Sequence, residues 1–178
     1  MGREVRRVPA DWQHPKTYNE YRREMTYVPL FEGSDYEQRA AEWDEEWAKW
    51  QDGICRAYGD GPEWEPIEEK HRHMRYTDYA GSRPSPDDYM PNWPKEQRTH
   101  LMMYEDTSEG TPISPAFETP EELARWLADN NASAFAGDGA SYEHWLPICR
   151  GGWAPSMIMA GGVMMSGVEG MAELRDSD

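Results

Sequence analysis

A chain of 178 residues is long enough for one ordinary domain and short for two, and its nine Trp and ten Tyr argue against wholesale disorder, because disordered chains lack aromatics. A formal net charge of -16 disfavours direct binding to nucleic acid or to an anionic membrane surface, and favours solubility or a basic partner. Two distant cysteines, Cys55 and Cys149, make neither a disulfide framework nor a zinc ribbon, and no apolar run is long enough to span a bilayer.

The charge is uneven. Residues 1–31 carry six basic and four acidic side chains, whereas residues 32–69 carry three basic and thirteen acidic ones. The start, MGREVRRVPADW, has basic residues with no apolar segment behind them, so it does not read as a secretory signal; Arg7 stands where a myristoylation motif has Ser or Thr. The expected compartment is cytoplasm.

In chain order, residues 5–8 read as a short strand stopped by Pro9, residues 12–23 are polar and ambiguous, and residues 26–31 read as extended, with Pro29 at an edge. Ser34 then opens a helix, with Glu37 completing a capping box. Tyr36, Ala40, Trp43, Trp47, Trp50 and Ile54 follow at alternating spacings of four and three, which places them on one inward face. Asp44, Glu45 and Lys49 fall mostly on the other faces, and Gly59 and Gly61 end this acidic, Trp-rich segment, 32–59.

Residues 60–99 are dense in proline and charge and read as an irregular connection, with a helical turn near 67–75. Residues 98–104 are apolar enough for a strand. TSEGTPISPAF, residues 107–117, combines hydroxyls, two prolines and a glycine, and leads into a helix capped by Thr119, with Pro120 first and Glu122 completing a capping box. Leu123, Trp126 and Leu127 form that helix's buried stripe. A third helix starts at Ser141, carries Tyr142, Trp145 and Leu146, meets Pro147 and closes at Gly151-Gly152. SMIMAGGVMMSG reads as two short strands, and the tail 169–178 as frayed. The whole reads as a single α+β domain, 1–178, in which a small antiparallel sheet is packed by about three helices and residues 100–168 form a strand-loop-helix-helix-hairpin unit.

Several phrases occur together: Val5-Arg6-Arg7-Val8-Pro9 with Trp12 and His14-Pro15, Thr107-Ser108-Glu109-Gly110-Thr111-Pro112, Glu121-Glu122-Leu123-Ala124 with Trp126-Leu127, and Gly152-Trp153-Ala154-Pro155-Ser156. In this the chain resembles a group of small acidic proteins of tailed bacteriophages and prophages. The resemblance covers both ends and the C-terminal half and leaves the acidic middle poorly matched. It implies a phage origin and a bacterial host cytoplasm, and it transfers no site residues.

Three kinds of site are candidates. Glu42, Asp44, Glu45 and Glu46 on the acidic helix, with Trp64 and Trp93 as aromatic anchors, would bind a host or phage protein with a basic surface, as an acidic inhibitor or nucleic-acid mimic in counter-defence; the two tryptophans equally suit folding back under a long loop. Alternatively Ser108, Thr111, Ser114, Arg150 and Ser156 would bind a nucleotide or metabolite beside helix starts, although Glu109, Glu121 and Glu122 repel anions there. A minor virion component is a third reading. Every residue type in 107–117 also has a structural job: turn, extended edge, start of a helix. His71-x-His73 lacks a third metal ligand in the sequence, and Cys149 near Arg150 and Gly151-Gly152 lacks a fixed base, so both read as ordinary surface and core residues. No pattern calls for a catalytic residue, a metal or a cofactor, and none specifies an oligomeric state.

Overall fold

From His100 to Glu105 the chain buries four consecutive side chains, Leu101, Met102, Met103 and Tyr104. Alternate strand residues point to opposite faces, so such a strand needs a covering layer on both sides. A computed structural model describes residues 2–57, 63–106, 110–160 and 163–175. Its first elements are β1 (Arg3–Val8), β2 (Lys16–Asn19), β3 (Glu24–Tyr27), α1 (Tyr36–Gln51), β4 (Ile54–Arg56), β5 (Trp64–Pro66) and α2 (Tyr76–Ala80). Then follow β6 (His100–Glu105), β7 (Thr111–Pro112), α3 (Pro120–Asp129), α4 (Tyr142–Gly151), β8 (Trp153–Ala154), β9 (Met157–Ala160), β10 (Val163–Ser166) and α5 (Gly167–Arg175). The fold is α+β, and the chain packs as two compact units, residues 1–30 with 92–178, and residues 31–91.

The first unit, here the sheet unit, is built on an antiparallel sheet of order β7-β6-β1-β8. β1 and β6 pair along their full lengths, with Val5 opposite Met103 and Arg6 opposite Met102. On one face Leu101 and Met103 join Leu123, Ala124 and Leu127 of α3, Trp145, Ile148 and Cys149 of α4, and Val168 of α5 in the main core. The Thr119 capping box forms as its sequence predicts: the hydroxyl accepts from the Glu122 amide and the Glu122 carboxylate accepts from the Thr119 amide. Ser141 caps α4, which continues through Pro147 and stops at left-handed Gly152.

The second unit, here the acidic unit, holds α1, the β4–β5 hairpin and α2. Trp50, Ile67 and Tyr76 are its buried centre, with Trp43 and Tyr79 packed against them. The expected Ser34 cap is absent. The chain starts the helix through a 3-10 turn, Gly33–Asp35, so Asp35 already has helical dihedrals and caps nothing, while the Ser34 hydroxyl donates to Asp35. The helix also ends earlier than its apolar spacing suggests. Gly53 takes a left-handed φ of 83° and turns the chain, leaving Ile54 in β4. The inward face is narrower too: Trp43 and Trp50 pack inward, but Trp47 is 47% exposed.

The stretch 60–99 is mainly irregular, as expected: its described residues hold only β5, α2 and two short 3-10 turns, Glu69–His71 and Pro86–Asp88, the first of them inside the expected helical turn at 67–75. One further expectation is corrected. The tail is not frayed from residue 169, because α5 runs to Arg175. It carries two glycines, Gly167 and Gly170. They lie so close to the Pro155 carbonyl and the Ile158 side chain that a Cβ at either would be crowded. Val168→Ala should therefore lower stability by roughly 2 kcal/mol, read from the urea midpoint at unchanged slope. A change within about 0.5 kcal/mol, the size of an ordinary surface substitution, would mean that α5 is not part of the core.

Candidate functional site

The face of β6 turned away from the helices carries Met102 and Tyr104, and it is covered by the chain just after β1. Tyr104 is fully buried, so its hydroxyl needs partners. The Trp12 indole N–H donates to it at 3.2 Å, and His14 Nδ1 lies 3.2 Å from it. His14 Nε2 is 2.7 Å from the Val28 carbonyl. A carbonyl only accepts, so Nε2 carries the ring hydrogen and Nδ1 is left to accept from the tyrosine. The Arg6 guanidinium lies 4.6 Å above the Tyr104 ring and donates to the Leu30 carbonyl at 2.7 Å. Trp93 is half-buried and packs edge-on against Trp12, with ring centroids 4.7 Å apart, which matches the folded-back reading of this residue more than the exposed anchor. Burial pushes the His14 pKa down, and the Arg6 charge adds to this against the pull of the Val28 carbonyl. With both nitrogens engaged, His14 positions the chain and has no ring atom left for a substrate.

This knot anchors the β2–β3 hairpin. Thr17 pairs with Thr26 and Tyr18 with Met25, and Lys16 pairs with Tyr27. Lys16, Tyr18, Met25 and Tyr27 therefore share one face. At its base the Tyr27 ring meets His14 edge-on at 5.6 Å, and the Lys16 ammonium sits 4.5 Å over the Tyr27 ring. At the tip, Asn19 holds the turn by accepting from the Arg23 and Arg22 amides. The aromatic face points outward: Tyr18 is 57%, Met25 56% and Tyr21, at the tip, 98% exposed. Sequence reasoning missed this stripe. The signal was there as Lys16-x-Tyr18 and Met25-x-Tyr27 on either side of a polar turn.

The stripe leads into a groove of about 780 Å³, lined by Lys16, Tyr27, Trp12 and His14 and by residues 112–116 and Trp126. Residues 112–116 of the 107–117 loop thus do reach a concave surface, but the Ser114 hydroxyl among them is spent on structure. Gly110 turns at φ 81° and lies against the Leu30 carbonyl and the Arg6 guanidinium, where no Cβ would fit. Thr111 and Pro112 pair with β6 as an edge strand. The buried Ser114 hydroxyl accepts from the Met103 amide at 2.9 Å and donates to the Pro115 carbonyl at 2.8 Å. Of the five residues expected to hold a small ligand, only Ser114 lines the groove. Arg150 is 2.6 Å from Glu121, the Ser156 carbonyl accepts from the Gly167 amide, and Ser108 lies outside the described residues. Burial pushes the Cys149 thiol up to about 12, which keeps it protonated and unreactive at neutral pH.

In the acidic unit the four carboxylates of α1 have different fates. Asp44 takes two 2.8 Å hydrogen bonds from Arg83, which hold its carboxyl below the usual range. Glu46 accepts from the Tyr76 hydroxyl at 2.6 Å and pairs with Arg56 at 2.9 Å. Glu42 accepts from the neutral Gln38 amide, and Glu45 is exposed. Trp64 is half-buried, with Arg56 and Lys49 within 5.4 Å of its ring, so it is a packed residue and not a free anchor. His71 stands in a 3-10 turn and packs at a tilt against the Tyr79 ring, centroids 5.2 Å apart, so the strand geometry that would pair it with His73 does not arise. Among the described residues no helix is long and apolar enough to cross a membrane.

The sign of the His14 shift gives a pH dependence. Its folded pKa lies below the unfolded value near 6.5, so the unfolded chain takes up the proton first. The His14 contribution is complete above pH 6.5 and is lost as pH falls below it. Urea midpoints should decline between about pH 6.5 and 5, ahead of carboxylate protonation, and His14→Gln should flatten that decline; an equal slope in the variant would assign it elsewhere. No protein-family model matches the chain, and no curated protein or solved structure matches it either.

Proposed function

We propose that this is a phage accessory protein that acts in the bacterial host cytoplasm by binding a host or phage protein, without catalysis. The phage origin rests on the resemblance of its N-terminal and C-terminal phrases. The binding role is supported by one observation above all: the β2–β3 hairpin turns Tyr18, Tyr21 and Met25 toward solvent and its polar Thr17 and Thr26 the other way. Exposed aromatic clusters of this kind mark interaction sites, and Tyr is enriched among residues that dominate binding energy. A nucleic-acid mimic is the weaker form of this reading, because Arg83 and Arg56 already neutralise Asp44 and Glu46.

The adjoining groove supports a second reading, a small-molecule site, on its size alone. A thermal-shift screen against nucleotides and metabolites tests it, and a blank screen removes it.

For the leading reading, the combined variant Tyr18→Ser, Tyr21→Ser, Met25→Ser should weaken partner binding about tenfold or more while leaving the melting temperature nearly unchanged. The partner is first recovered by pulldown from infected cells at several salt concentrations, and its affinity is then measured with purified components. Full retention of binding by the variant, or no partner at any salt, would refute the proposal. Mass spectrometry of purified particles separates an intracellular role from a virion component.

A further inference from the structure

The acidic unit holds a second concavity, of about 400 Å³, lined by both aromatic and charged side chains. Phe31 and Tyr89 form one pair, with ring centroids 5.3 Å apart, and Trp43 and Tyr76 another, 5.2 Å apart. Phe31 is 49% exposed and Tyr76 is buried, so the aromatic lining runs from the rim to the floor. The loop after α2 is tied to α1 at two points: the Trp43 indole N–H donates to the Gly81 carbonyl at 3.2 Å, and Arg83 grips Asp44. Two contacts thus fix the loop over the helix beside the concavity, one of them made by Trp43 of its own lining.

Its electrostatics select the occupant. Asp35 and Glu42 line it, and their hydrogen-bond partners, the Ser34 hydroxyl and the Gln38 amide, are neutral and leave both charges in place. Glu46 also lines it but is paired with Arg56. Arg39 is the lining's own cation and reduces the field without reversing it. The surrounding unit, residues 31–91, has sixteen Asp and Glu against seven Lys and Arg. Aromatic faces carry negative potential and attract cations, most strongly where carboxylates share the site. We propose that this concavity binds a cationic side chain, a lysine or arginine presented by a protein partner.

This inference rests on the reading that the protein acts by binding another protein, but its test uses neither that partner nor the hairpin, so the two can fail separately. The probes are the blocked amides of Nα-acetyl-lysine and Nα-acetyl-arginine, with the norleucine and Nα,Nε-diacetyl-lysine amides as neutral controls. The readout is the Trp43 indole cross-peak in a proton–nitrogen correlation spectrum. The cationic amides should move that peak saturably and the neutral ones should not. Glu42→Gln should weaken the response at least threefold, and Glu45→Gln, an equal change in net charge outside the concavity, should leave it unchanged. The proposal is overturned if the peak does not move, if norleucine moves it equally, or if the two Glu variants behave alike.

Discussion

The central strand of the sheet unit has no solvent face, and much else follows from that. Leu101 and Met103 can be covered by helices, as in any α+β layer. Tyr104 on the other face brings a hydroxyl into the interior, where a group left unpartnered costs about 1–3 kcal/mol. The partners come from Trp12 and His14, and the buried Arg6 beside them finds an acceptor at Leu30. These polar requirements dictate where residues 9–30 run. The hairpin that carries the outward aromatic stripe is thus positioned by the satisfaction of one buried phenol.

The acidic unit solves a different problem. Its carboxylates crowd one long helix, and arginines from later in the chain return to it, Arg56 to Glu46 and Arg83 to Asp44. Exposed pairs of this sort contribute little stability, because solvent screens them and ordering long side chains costs entropy. Their effect is geometric. Arg56 ties β4 to the helix and Arg83 ties the loop after α2, beside the concavity that Trp43 lines. The same residues that look from the sequence like a continuous acidic surface therefore divide into cross-links, Asp44 and Glu46, and uncompensated charge, Glu42 and Glu45.

What could be read from the sequence was what depends on near neighbours. Thr119, Pro120 and Glu122 specify a helix start within four residues, and the structure places each as expected. Gly110 and Thr111–Pro112 likewise form the turn and edge that their types suggest. The α1 start failed for a reason equally local but harder to see: a 3-10 turn gives Asp35 helical dihedrals, so the capping geometry that Ser34 and Glu37 promise never arises. Trp47 failed although it shares the helix face of Ala40, Trp43 and Trp50, because burial depends on what packs opposite a side chain at its own level along the helix, which spacing does not specify. The exposed stripe and the aromatic-lined concavity were illegible for a deeper reason. Tyr18 and Met25 become neighbours only through strand register, and Phe31, Trp43, Tyr76 and Tyr89 only through tertiary packing; no spacing within the chain announces either set.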